Sequence, residues 1–103
     1  MERLELLKSY LARTPGDSFL NHALALEYVK AGRDSDAISV FRALLARDPA
    51  YVGSYYHLGA ALQRAGDPEG ALAVYREGIR QAALQGASHA LTELRQAAEE
   101  LED

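Results

Sequence analysis

Residues 55–76 read YYHLGAALQRAGDPEGALAVYR, and residues 21–42, one step of 34 earlier, read NHALALEYVKAGRDSDAISVFR. Superposed, Leu24 meets Leu58, Ala25 meets Gly59 and Tyr28 meets Leu62. Further along, Lys30-Ala31-Gly32 meets Arg64-Ala65-Gly66, Ala37-Ile38 meets Ala71-Leu72, and Val40-Phe41-Arg42 meets Val74-Tyr75-Arg76. Pro15 and Pro49 stand in the same register. A fixed period of this length marks a chain built from stacked supersecondary units.

Within each copy the apolar residues recur with helical spacing. Leu20, Leu24, Tyr28 and Val29 share one face; Ala37, Val40, Phe41, Leu44 and Leu45 share another. Between them, Gly32 suits the left-handed residue that ends a helix, and Asp34 is expected to cap the next. The second copy repeats the device: Gly66 stops one helix, Asp67 caps its successor, and Pro68 takes the first-turn position where a missing N–H costs nothing. Each copy reads as helix, tight turn, helix.

These residues resemble the tetratricopeptide repeat, in the form of a small bacterial-type stand-alone protein. Tyr55, Leu58-Gly59, Leu62, Ala71 and Tyr75 follow the family signature in the second copy. In the first, Leu24-Ala25, Tyr28, Ala37, Phe41 and Pro49 do so. Ala25, Gly59, Ala37 and Ala71 are small where the two helices of a repeat cross; Phe41 and Tyr75 fill the space between neighbouring repeats. Asn21 stands where a bulky aromatic is commonest, Leu44 and Gly78 replace a small Ala, and Ala83 replaces a third closing Pro. Without that Pro, the last repeat helix is expected to run on towards Gly86. The resemblance implies an all-α, right-handed solenoid of antiparallel helix pairs.

The flanks extend the scheme to about six helices in one domain, 1–103. Residues 2–14 carry Leu4, Leu7, Tyr10 and Leu11 ahead of Pro15, as the second helix of a half repeat would. Repeats then occupy 15–49 and 50–84. Residues 87–101 carry Ala87, Leu91, Leu94, Ala98 and Leu101, an amphipathic capping helix. Glu93, Arg95, Gln96, Glu99, Glu100 and Glu102 would give it the polar outer face that terminal repeats need.

Composition narrows the functional classes. There are 103 residues, no cysteine, and a net charge of −4 from 15 acidic and 11 basic side chains. Disulfides, thiolate metal sites and a cysteine nucleophile are excluded. A net-acidic chain lacks the basic face that neutralises phosphates, so nucleic acid is not expected as a partner. No apolar run reaches the length of a membrane span or a secretory core, and a cytoplasmic protein is the default expectation. The serines lie outside any G-x-S-x-G context, the glycines form no phosphate loop, and the carboxylates are scattered singly. Neither catalysis nor a cofactor is expected.

The resemblance places binding on the concave face lined by the first helix of each repeat. Matching slots give Phe19, His22, Leu26, Val29 and Lys30 from the first repeat, and Tyr56, His57, Ala60, Gln63 and Arg64 from the second. Aromatic and aliphatic anchors with cations at the edge suit a peptide or partner helix. Lys30 and Arg64 recur in register, a pair able to attract an acidic or C-terminal group. The family's chaperone-tail clamp uses Lys, Asn and Arg across three repeats; Asn21 is the only asparagine here, so that clamp set is missing. His22 and His57, 35 apart, fall in neighbouring slots, with His89 near the start of the capping helix. Imidazole is a common metal ligand, but no pair lies at i, i+3 or i, i+4, so partial burial or peptide contact is the better reading. A competing expectation is structural: a homodimer through Leu4, Leu7 and Leu11 of the N-terminal helix.

Overall fold

The computed structural model describes residues 2–102, and among them six helices and no strand are found. They are α1 (Glu2–Arg13), α2 (Ser18–Lys30), α3 (Asp34–Arg47), α4 (Gly53–Arg64), α5 (Pro68–Gln85) and α6 (Ser88–Leu101). The described residues form an all-α solenoid of antiparallel helices. Each helix packs on its neighbours in sequence; α2 also touches α4, and α4 touches α6. The odd-numbered helices make no such contacts with one another among the described residues. The stack therefore curves, with α2, α4 and α6 along its inner side.

The turns follow from the residues that make them. Among the described residues, Gly32, Gly66 and Gly86 have positive φ, at 73°, 85° and 65°, and each follows a helix directly or by one residue. Asp67 accepts a hydrogen bond from the Gly70 N–H at 2.9 Å, and Pro68 opens α5. In the first repeat the cap differs from expectation. Arg33 occupies the capping position but makes no side-chain capping bond, while Asp34 already lies inside α3 and turns its carboxylate to Arg64. With Ala at position 83, α5 runs unbroken to Gln85 and ends on Gly86.

Tyr55 and Asn21 share one slot, and the departure at Asn21 has a physical account. The Tyr55 hydroxyl donates to the Pro49 carbonyl at 2.7 Å, and the Asn21 amide donates to the Pro15 carbonyl at 3.0 Å. Each side chain thereby satisfies the carbonyl of the proline that turns the chain into its repeat.

The core is a double stripe of small and large residues. Ala37, Phe41 and Leu44 on α3 are fully buried, as are Ala71 and Tyr75 on α5. A Cβ on Gly59 would overlap the Tyr75 ring, whose Cζ lies 2.5 Å away. One on Gly78 would come within 2.7 Å of the Tyr55 Cβ and 3.0 Å of the Leu94 Cδ1. Such contacts fix how close α4, α5 and α6 lie. The N-terminal leucines are spent in the same core: Leu4 and Leu7 are 3% and 4% exposed.

Substitutions at the crossings test this packing. Ala37→Leu or Ala71→Leu should cost about 1–3 kcal/mol of stability, as overpacking does. Gly59→Ala, which in an exposed helix would add about 1 kcal/mol of helix propensity, should instead destabilise. Thermal or urea denaturation reads both, and a Gly59→Ala variant more stable than the parent would contradict the close approach.

Candidate functional site

The inner face is a row of rings. His22 on α2 lies 5.5 Å from His57 on α4, 5.8 Å from Phe41 and 5.6 Å from Tyr51, ring centre to ring centre. Phe41 and His57 are parallel to within 8° at 6.4 Å. Tyr56 follows at 5.8 Å from His57 and 6.3 Å from Tyr75. These edge and stacked arrangements are the ones aromatic quadrupoles favour. The row exists because the 34-residue repeat brings His22 and Tyr56 onto the same side of adjacent helices.

Polar groups at the row are anchored. His22 Nδ1 and Ser54 Oγ are hydrogen-bonded at 2.8 Å, and Ser54 is fully buried. The Tyr75 hydroxyl donates to Gln63 Oε1 at 2.7 Å, and burial pushes its pKa up to about 12. Gln63 is thus tied to the floor of the groove as well as bordering it.

The remaining expected groove residues fall on the same helices with different exposures. Phe19 is 69% exposed at the start of α2. Leu26, Val29 and Ala60 are half-buried, with Leu26 and Val29 resting on the core. Lys30 and Arg64 are exposed, but both carry partners. Lys30 Nζ lies 3.4 Å from Glu27, which also holds Arg3 at 3.2 Å. Arg64 grips Asp34 with two nitrogens, at 3.1 Å and 3.0 Å. Their charges are largely answered within the chain.

The opposite sign dominates at α6. Glu93, Gln96, Ala97 and Glu100 line, with Tyr56, a depression of about 310 Å³ at the end of the ring row. Neither Glu93 nor Glu100 has an ion-pair partner among the described residues. Glu93, Gln96 and Glu100 were expected on the outer face of the cap; they border the inner groove because α6 enters rotated. The longer α5 moves the core slots of α4, at Leu58, Ala61 and Leu62, to Leu94, Ala97 and Ala98 on α6, a step of 36. Helical-wheel reasoning about α6 alone gives its apolar stripe but not which flank of that stripe meets the groove.

Two other features complete the surface. His89 is exposed at the start of α6 and takes no part in the ring row. No group of three or more metal-ligating side chains occurs among the described residues. A hollow of about 460 Å³ lies on the outer side between α3 and α5, bordered by Arg42, Leu45, Pro49, Tyr55, Val74 and Glu77. Periodicity gave no sign of it. It arises where Gly70 and Ala73 leave α5 thin.

Burial lowers the pKa of His22, and the neighbouring His57 lowers it further. Burial also lowers that of His57, with Glu93 opposing and Arg64 assisting. Both lie below the usual 6.5, so the unfolded chain takes up these protons more readily than the folded one. The stability they carry is complete above pH 6.5 and is lost as pH falls through that value towards the folded-state pKa. Melting temperatures recorded from pH 7 down to 5 should fall, and a His22→Gln/His57→Gln double variant should show a flatter slope. Identical slopes would mean that the rings are solvated.

Comparison with known proteins places these features. A tetratricopeptide repeat model matches residues 28–95. A TPR repeat-containing protein of Pseudomonas aeruginosa, PA0015, is 31% identical over 91 residues, covering 88% of this chain and 87% of that one. The crystal structure of a tetratricopeptide repeat domain protein from Salinibacter ruber superposes with a TM-score of 0.80 at 38% identity, over 84% of this chain and 96% of that one. The solution structure of BPP2914 from Bordetella parapertussis gives 0.83 at 28% identity, over 96% and 86%. With the family model spanning the turns, the crossings and most of the ring row, the chain belongs to the tetratricopeptide repeat family.

Proposed function

We propose that the chain is a protein-interaction module that binds a peptide or partner helix along its inner face. Tetratricopeptide repeats are in general protein–protein interaction modules. The observation that carries the reading here is the half-buried ring row from His22 to Tyr56, ending in the depression flanked by Glu93 and Glu100. Such a surface offers rigid aromatic area with few rotamers to freeze, as binding hot spots do.

Charge selects the occupant. Lys30 and Arg64 are held by Glu27 and Asp34, whereas Glu93 and Glu100 border the depression without an ion-pair partner among the described residues. A segment with an apolar residue for the Phe19 and Leu26 end and a Lys or Arg over Tyr56 fits better than an acidic tail. A cation over the tyrosine ring between two carboxylates gains both cation–π and Coulombic attraction. The role proposed is non-catalytic. Its proposed setting is the cytoplasm, in keeping with a chain that has no cysteine. Among the described residues no helix is long and apolar enough to cross a membrane.

Self-association through Leu4, Leu7 and Leu11 has no support in the packing, since α1 buries the first two in its own core and rests the half-buried Leu11 against it. What α1 leaves outside is Leu6 and Tyr10, beside Arg3.

Amide shifts of the labelled protein titrated with peptides selected from a random display library test the reading. Shifts should cluster on Phe19, His22, Tyr56, His57 and Glu93. Tyr56→Ala should weaken a selected peptide at least about tenfold, a loss of about 1.4 kcal/mol. A Glu93→Gln/Glu100→Gln double variant should remove the preference for basic residues. Shifts confined to Leu45, Val74 and Glu77 would move the binding site to the outer hollow.

A further inference from the structure

Arg42 on α3 and Arg76 on α5 stand in one slot of the repeat, 34 residues apart, and both are exposed. Arg76 gives its Nη2 to the Glu102 carboxylate, one residue beyond α6, at 2.9 Å. Arg42 has no ion-pair partner among the described residues. The register accounts for the difference. Slots on α6 lie 36 residues after those on α4, so the place of Glu102 falls, one repeat earlier, on Gly66, which brings no carboxylate.

Arg42 stands at the edge of an apolar trough. Helices α3 and α5 do not touch among the described residues, and the gap between them is the hollow of about 460 Å³ on the outer side. Tyr55 and Leu58 of α4 floor it, and the half-buried Leu45 and Val74 wall it. Gly70 and Ala73 add little bulk at the rim, so an incoming chain can reach those walls. Spaces of roughly 300–1,000 Å³ are the ones in which proteins hold ligands. The carboxylate of the opposite wall is already spent. Glu77 accepts from Nε and Nη2 of Arg80 at 3.0 Å and 2.7 Å, and from the Gln81 amide at 3.1 Å. The charge left unanswered at the hollow is the Arg42 guanidinium.

We propose that this hollow is a second docking site, and that its occupant is a segment of a partner protein with a bulky apolar side chain beside a carboxylate. The apolar side chain enters between Leu45 and Val74, and the carboxylate meets Arg42 as Glu102 meets Arg76. Guanidinium and carboxylate pair through short charge-assisted hydrogen bonds. Apolar walls beside them exclude water that would otherwise screen the attraction. The trough is unroofed along its outer side, which suits a side chain delivered by a longer chain better than a free small carboxylate. The inner face, bordered by Glu93 and Glu100, selects the opposite chemistry and shares no residue with this site. A molecule with both surfaces holds two partners at once, one on each side.

Selection of a random peptide display library on the full chain tests this, with counter-selection on an Ala73→Gln variant that fills the hollow. Enriched peptides should pair a Leu, Ile or Phe with an Asp or Glu, and should shift the amides of Leu45, Ala73 and Val74 in the labelled parent. Arg42→Gln should weaken them about tenfold, the loss of one charge-assisted contact, and Arg42→Lys should recover part of that loss. Changing the peptide's acid to its amide should cost as much with the parent and nothing further with Arg42→Gln. Tyr56→Ala should leave these affinities unchanged, which tells failure of this site from failure of the inner face. Arg42 and Ala73 are exposed; should either variant still lose helicity by circular dichroism, the acid-to-amide change in the peptide decides. Absence of any peptide lost on Ala73→Gln, enriched peptides without an acid, or equal binding by Arg42→Gln would overturn the proposal. Shifts of the same amides by decanoate, with no peptide enriched, would assign the hollow to a small carboxylate instead.

Discussion

The near contact between the backbone of α4 and the ring of Tyr75 sets the geometry on which the rest depends. Gly59 has no side chain, so Tyr75 lies directly on the helix. That closeness leaves Tyr75 1% exposed and carries its hydroxyl through to Gln63 on the inner side. The ring of Tyr56 is then backed by another ring rather than by water. One small residue at a helix crossing therefore decides both the thickness of the repeat and the rigidity of the groove above it.

Electrostatics are arranged around the same frame. The cations of α2 and α4 are held by carboxylates from the α2 helix itself and from the start of α3, and the second of these ties one repeat to the next. Exposed pairs of this kind contribute little stability each. Their larger consequence is that they take Lys30 and Arg64 out of competition for an incoming acid. The groove's sign is set by α6.

Much of the fold was legible because repetition multiplies weak signals. The 34-residue register gave the helix order, the turn glycines, the cap at Asp67 and the extension of α5 that follows from Ala83. It misplaced the cap at Asp34, because a carboxylate within reach of a guanidinium from the next repeat prefers that ion pair to a backbone amide. Of the expected groove residues, His22, Tyr56 and His57 meet in the ring row; the Lys30 pair with Glu27 is a local i, i+3 contact open to sequence reading, whereas that of Arg64 was hidden because Asp34 lies 30 residues away. The share of α6 in the groove was hidden for a different reason. Its orientation depends on how many residues α5 adds before Gly86, and a change of two residues turns a helix by about 200°. The outer hollow depends on the absence of side-chain volume at Gly70 and Ala73, which no apolar pattern announces.

The unequal steps along the chain bear on how such a molecule can lengthen. From α2 to α4 the interval is 34 residues and its junction closes on Pro49; from α4 to α6 it is 36 and closes on Gly86. A tandem duplication of the 34-residue block would insert a further repeat whose faces match both neighbours. A block of 36 residues taken across α5 would instead turn each added helix away from that register, so the molecule lengthens by the 34-residue step.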